Sequence, residues 1–160
     1  MQPIEKARLQ ALRLLKVRPR SESELRERLG RQGVSAPVLE TLIGEFKCKD
    51  FINDAKFAKY FATQRMSSRP VARRVLLSNL RARGVPSDLA VEAADEAVAE
   101  TDELETARKL AFERAPHLKG LKRDAAQRRL FGFLSRRGFS SAVVYRVLRE
   151  VGGAVPESLE

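Results

Sequence analysis

The chain has 160 residues, 43% of them hydrophobic, with 31 Lys+Arg against 21 Asp+Glu and a net charge of +10. That hydrophobic share excludes wholesale disorder, and the length allows one domain or a few small modules. A single cysteine excludes a disulfide scaffold, and no apolar run is long enough to span a membrane.

The first helix is predicted from Pro3 to about Val17, with Ala7, Ala11, Leu12 and Leu15 as its apolar stripe. Arg18-Pro19 ends it, because a residue before proline avoids the α conformation. Ser21 with Glu24 three residues later reads as a capping box, opening a second helix that carries Leu25 and Leu29 and stops at Gly33. A third begins near Ser35, with Pro37 in its first turn and Val38, Leu39, Leu42, Ile43 and Phe46 inward. Lys47 to Ile52 is expected to be a polar connection.

Asn53 or Asp54 is expected to cap a fourth helix with Phe57, Ala58, Phe61 and Ala62, broken at Ser67-Ser68-Arg69-Pro70. Pro70 is expected to open the fifth, with Val75, Leu76, Leu77 and Leu80, ending at Gly84. Ser87 should cap the sixth, whose inward face is mostly alanine (Ala90, Ala93, Ala94, Ala97). Thr101 or Asp102 starts a seventh helix that Pro116 ends, and His117 to Leu121 reads as a linker with Gly120 as its flexible point. An eighth holds Leu130, Phe131, Phe133 and Leu134 before Gly138. A ninth runs from Ser140 or Ser141 to Gly152-Gly153, with a frayed tail beyond.

Three stretches repeat. Leu29, Leu80 and Leu134 each stand four residues before a glycine, Gly33, Gly84 and Gly138, with another leucine four residues earlier. Leucines at i and i+4 share a helix face, and the following glycine suits the left-handed C′ position. The register persists beyond the glycine: Val38, Leu39, Leu42 and Ile43 correspond to Leu89, Ala90, Ala93 and Ala94, and to Val143, Val144, Val147 and Leu148. An all-α fold is predicted, with nine helices as three tandem three-helix repeats in an elongated, curved molecule. The repeats span residues 1–50, 51–101 and 102–151, with 152–160 a flexible tail.

The positive excess is +4, +2 and +4 over the three repeats, so it is distributed along the chain. That pattern fits an extended surface facing a polyanion, either nucleic acid or an acidic protein. The arginines gather on the second helices: Arg73, Arg74, Arg81 and Arg83 in the middle repeat, then Lys122, Arg123, Arg128, Arg129, Arg136 and Arg137 in the last. These ten are the candidate partner- or DNA-binding residues, since guanidinium groups grip phosphates and carboxylates bidentately. Arg83 and Arg137, near helix C-termini, are also favoured there by the helix dipole.

No catalytic constellation is visible. His117 is the only histidine, Cys48 has no histidine near it in sequence, and no Walker-type or Rossmann glycine motif is present. A non-enzymatic, cofactor-free, cytoplasmic monomer is expected. The helix–glycine–helix pattern also suggests a helix-turn-helix transcriptional regulator. Against that, the helices that would read bases carry Glu40 and Glu45, or Asp88, Glu92, Asp95 and Glu96, which phosphates repel.

The sequence resembles the RecX family of bacterial regulatory proteins. The likeness is carried by Arg20-Ser21-Glu22-Ser23-Glu24-Leu25 with Leu29 and Gly33. It continues in Phe51 to Ala58 followed by Arg65, and in Arg129-Leu130-Phe131-Gly132-Phe133-Leu134-Ser135-Arg136-Arg137-Gly138-Phe139. Two departures stand out: Lys49-Asp50 replaces a glycine common before the aromatic, and Pro70-Val71-Ala72 lacks a glycine common before the fifth helix. The resemblance implies a protein that binds RecA, free and as a filament on DNA. It further implies restraint of strand exchange, ATP hydrolysis and the co-protease activity behind the SOS response.

Overall fold

The computed structural model describes residues 3–99 and 101–152. Among these the chain forms nine α-helices and no strand: α1 (Pro3–Val17), α2 (Glu22–Arg31), α3 (Ala36–Cys48), α4 (Asp54–Ser68), α5 (Arg73–Arg81), α6 (Ser87–Val98), α7 (Glu103–Arg114), α8 (Arg123–Arg136) and α9 (Ser141–Gly152). Helix–helix packing is concentrated within the triplets α1–α3, α4–α6 and α7–α9. Each triplet has its own core: one around Leu25, Leu42 and Phe46, one around Phe57, Leu76 and Leu80, and one around Leu130, Leu134 and Val147. The predicted tail from residue 153 onward lies outside the described residues.

The repeat glycines behave as their position predicts. Gly33, Gly84 and Gly138 have φ of 84°, 73° and 91°. In each copy the residue after the glycine donates its N–H to the carbonyl of the repeat leucine: Val34 to Leu29, Val85 to Leu80, and Phe139 to Leu134. The glycine's own N–H closes the shorter inner bond, completing a Schellman ending. The leucine thus serves twice, its side chain buried in the core and its carbonyl as the acceptor of the cap.

Several local expectations change. The third helix continues through Cys48, so the first connection is only Lys49 to Ile52. Within it Asp50 takes φ 57°, alone in the left-handed region among described non-glycine residues. This is the departure at Lys49-Asp50 in physical form: the turn keeps a glycine-like backbone, and Asp50 is held by Lys56 and by Asn53, which donates to it at 3.0 Å.

Pro70 does not open α5, which starts at Arg73. Pro70 to Ala72 instead passes between two modules. Val71 belongs to the second core and Ala72 to the third, as adjacent side chains of an extended segment point opposite ways. Ser87 is the first residue of α6 rather than its side-chain cap; its hydroxyl accepts from Arg81 at 2.9 Å. His117 and Leu118 belong to a 3-10 turn, Ala115–Leu118, with Leu118 buried, so the linker shrinks to Lys119–Lys122. Ser21 caps α2, accepting from the Glu24 N–H at 3.1 Å, but the Glu24 carboxylate pairs with Arg18 instead of reaching back.

Candidate partner interface

The modules meet through the glycine turns. At the first joint the Ser21 hydroxyl donates to the Arg83 carbonyl, just before Gly84. The Asp54 carboxylate of α4 accepts the backbone N–H of Glu22 at 2.8 Å, giving the start of α2 a second cap from the next module. Burial pushes the Asp54 carboxyl upward, and the bond from Glu22 opposes that shift. At the second joint the Ala72 N–H donates to the Arg137 carbonyl at 2.9 Å, and Arg74 donates through Nε to the carbonyl of Gly138. Each joint therefore sets the end of one module's second helix against the start of the second helix in the module before.

This placement redistributes the candidate arginines. In the middle module Arg73 pairs with Asp95 of α6, Arg74 holds the second joint, and Arg81 bonds Ser87. Arg83 lies over the Phe61 ring at 4.1 Å, bonds the Asn79 carbonyl and faces Glu24 at 3.8 Å. These four are largely engaged within the fold. Arg137 likewise donates to the Pro70 carbonyl at 2.8 Å and sits 5.0 Å above the Phe133 ring.

The arginines of α8 differ. Arg128, Arg129 and Arg136 line a groove of about 530 Å³ with Arg114, Phe133, Gly132 and Ala125, and no carboxylate lines it. Arg114 rests 5.5 Å from the Phe133 centroid, on the ring that Arg137 also covers. Lys122 stands just before α8 without a side-chain cap and, with Arg123, lies exposed at the start of that helix. None of Lys122, Arg123, Arg128, Arg129 and Arg136 forms an ion pair among the described residues.

The acidic third helices face their own modules. Glu40 pairs with Arg26, Glu45 with Arg8 and Lys49, and Glu92 and Glu96 with Lys59. Arg65, Arg69 and Arg114 stood outside the sequence-derived candidates. Arg65 carried a usable signal, standing one helical turn after Phe61, but its neighbours across the chain did not.

Residues 7–46, 53–93 and 100–148 match, in order, the first, second and third three-helix domains of RecX. The chain belongs to the RecX family. It is 36% identical over 137 residues to a regulatory protein RecX of Amycolatopsis mediterranei, covering 86% of this chain and 78% of that one. To the Thermobifida fusca protein of the same name it is 37% identical over 145 residues, covering 91% and 78%. The fold is similar to a crystal structure of RecX from Lactobacillus salivarius, with TM-score 0.70 and 20% identity over 93% of this chain and 96% of that one. RecX proteins are regulatory proteins, and this chain keeps all three of their modules.

Proposed function

We propose that this protein is a negative regulator of the RecA recombinase. It binds RecA, free and as a filament on DNA, and limits strand exchange, ATP hydrolysis and the SOS co-protease activity. The observation that supports this most is the complete, ordered set of three RecX modules, joined through the glycine turns. A monomer with modules at 1–50, 51–101 and 102–151 would offer successive contacts to neighbouring subunits of a helical filament.

The contact face proposed is the outer side of α8, where arginines lack internal partners, with Lys122 and Arg123 at its start. The α5 arginines are poorer candidates, since Arg73 and Arg74 already bond Asp95 and Gly138. The rival reading, a sequence-specific repressor, finds no support in α3 or α6, whose acids other than Asp88 are tied to Arg8, Arg26, Lys59 and Arg73.

The test is a titration of DNA-dependent ATP hydrolysis by RecA. Suppression is expected at concentrations too low to coat the DNA. A requirement for DNA saturation would make competition for DNA the better account. Reversing Arg128, Arg129 and Arg136 to Glu should weaken binding to the filament without moving the melting temperature. Unchanged inhibition by that variant removes α8 as the contact.

A further inference from the structure

Two helix C-termini, those of α4 and α8, meet near the second joint, and the Arg83 side chain reaches toward Arg65 from the end of α5 at the first joint. Arg65 lies in the last turn of α4 and Arg69 at its C-cap; Arg83 follows α5; Arg137 is the C-cap of α8. The links between them are direct. Arg83 covers Phe61, one turn before Arg65 on the same helix face, and Arg137 bonds the carbonyl of Pro70, next to Arg69.

These guanidiniums feel one another. Partial burial lowers the pKa of Arg65, and the charges of Arg69 and Arg83 lower it further. Arg137 is lowered in the same way, by burial first and then by Arg65 and Arg69, with Glu113 opposing. Arg65 and Arg69 have no ion-pair partner among the described residues, and Arg83 has only Glu24 at 3.8 Å. The negative ends of three helix dipoles help to hold the cluster together. Repulsion between like charges still favours an anion placed among them.

We propose that this cluster is a phosphate-binding site that seats the phosphodiester backbone of nucleic acid. A polymer fits better than a single ion because the charge does not stop at the joint. Arg137 shares the Phe133 ring with Arg114, and Arg114 opens the groove of Arg128, Arg129 and Arg136. The tract thus crosses two modules, and a chain with one charge per unit can follow it. Phe61 and Phe133 each lie under guanidiniums, so they position charge. The site reads phosphate and is blind to sequence.

The inference does not depend on the RecA reading, because its probe contains no recombinase. Anisotropy of a fluorescent oligothymidylate is followed with rising sodium chloride. Arg65→Gln with Arg69→Gln should weaken binding about tenfold and reduce the salt slope by roughly 1.4, about 0.7 for each lost phosphate contact. Lysine at both positions should restore most of the slope. An unchanged affinity and slope in the double Gln variant overturns the proposal. If that variant melts early, Arg128→Gln with Arg136→Gln on exposed α8 tests the same tract by the same slope. Inorganic phosphate should compete no better than chloride of equal ionic strength; stronger competition would mark a small-anion site and overturn the polymer reading. Oligonucleotide binding that survives in the double Gln variant while RecA suppression is lost would assign the cluster to protein and also overturn it. Loss of oligonucleotide binding with suppression intact supports the site and leaves the regulatory reading standing.

Discussion

Gly33 and Gly138 close the same motif at opposite ends of the molecule, yet their surroundings have little in common. A methyl group at Gly33 would meet nothing within 4 Å, whereas at Gly138 it would overlap the Val75 side chain and approach Arg74 Nε at 3.4 Å. Gly84 resembles Gly138, with Ser23 of the preceding module against it. The first copy only ends a helix. The later copies end a helix and also allow the next backbone to approach. Repetition in sequence here hides a division between capping and joining.

Substituting alanine separates the two duties. Gly33→Ala bears only the left-handed backbone cost, about 1 kcal/mol. Gly138→Ala adds overpacking at the joint and should lose about 2–4 kcal/mol in chemical denaturation. Equal losses at the two sites would dissolve the distinction. The polar side of a joint is tested by Ser21→Ala. It removes the cap on α2 and leaves the Arg83 carbonyl without its buried hydroxyl donor, so a loss of about 2 kcal/mol is expected. A loss no larger than an ordinary cap, about 1 kcal/mol, would mean that the joint contributes little.

The division was only half legible in the sequence. Helix count, core leucines and the left-handed glycines followed from spacing, because they are local consequences of a 3.6-residue period. The joints were not legible, since they pair residues about sixty positions apart, such as Ser21 with Arg83 and Arg74 with Gly138. For the same reason sequence alone does not separate the internally bonded arginines of the middle module from the unpaired ones of α4. Sequence lists charges, and only the packing reveals that Arg73 faces Asp95 while Arg65 faces no carboxylate among the described residues. The extended Pro70–Ala72 step is not legible in the sequence because proline fits a helix start and an extended linker equally well.

Asp50 offers a control, a left-handed residue at no joint. Asp50→Gly relieves the backbone but loses the contacts to Lys56 and Asn53; Asp50→Ala loses those contacts and keeps the strain. The glycine variant should therefore melt near the wild-type temperature and the alanine variant clearly below it. Equal losses in the two variants would show that the side-chain contacts, not the backbone, govern this turn.

The smallest effect expected concerns charge inside the first module, away from both joints. Arg8 and then Lys49 hold the Glu45 carboxyl down to about 2, against an ordinary value of 4.5. A carboxylate depressed in the folded state stabilises above its unfolded pKa, and that contribution fades as pH falls from about 5 toward 2. Glu45 is the link between α1 and α3, through Arg8 at 2.8 Å. Thermal melts from pH 7 downward should show the wild type losing stability faster below pH 5 than Glu45→Gln, with the two curves converging near pH 2. Both ends of the link lie within module one, so the salt slope for oligonucleotide binding should be the same in the two proteins at pH 7. A changed slope would mean that loosening α1 against α3 is felt at the second joint, and the modules would then be coupled more tightly than their separate cores suggest.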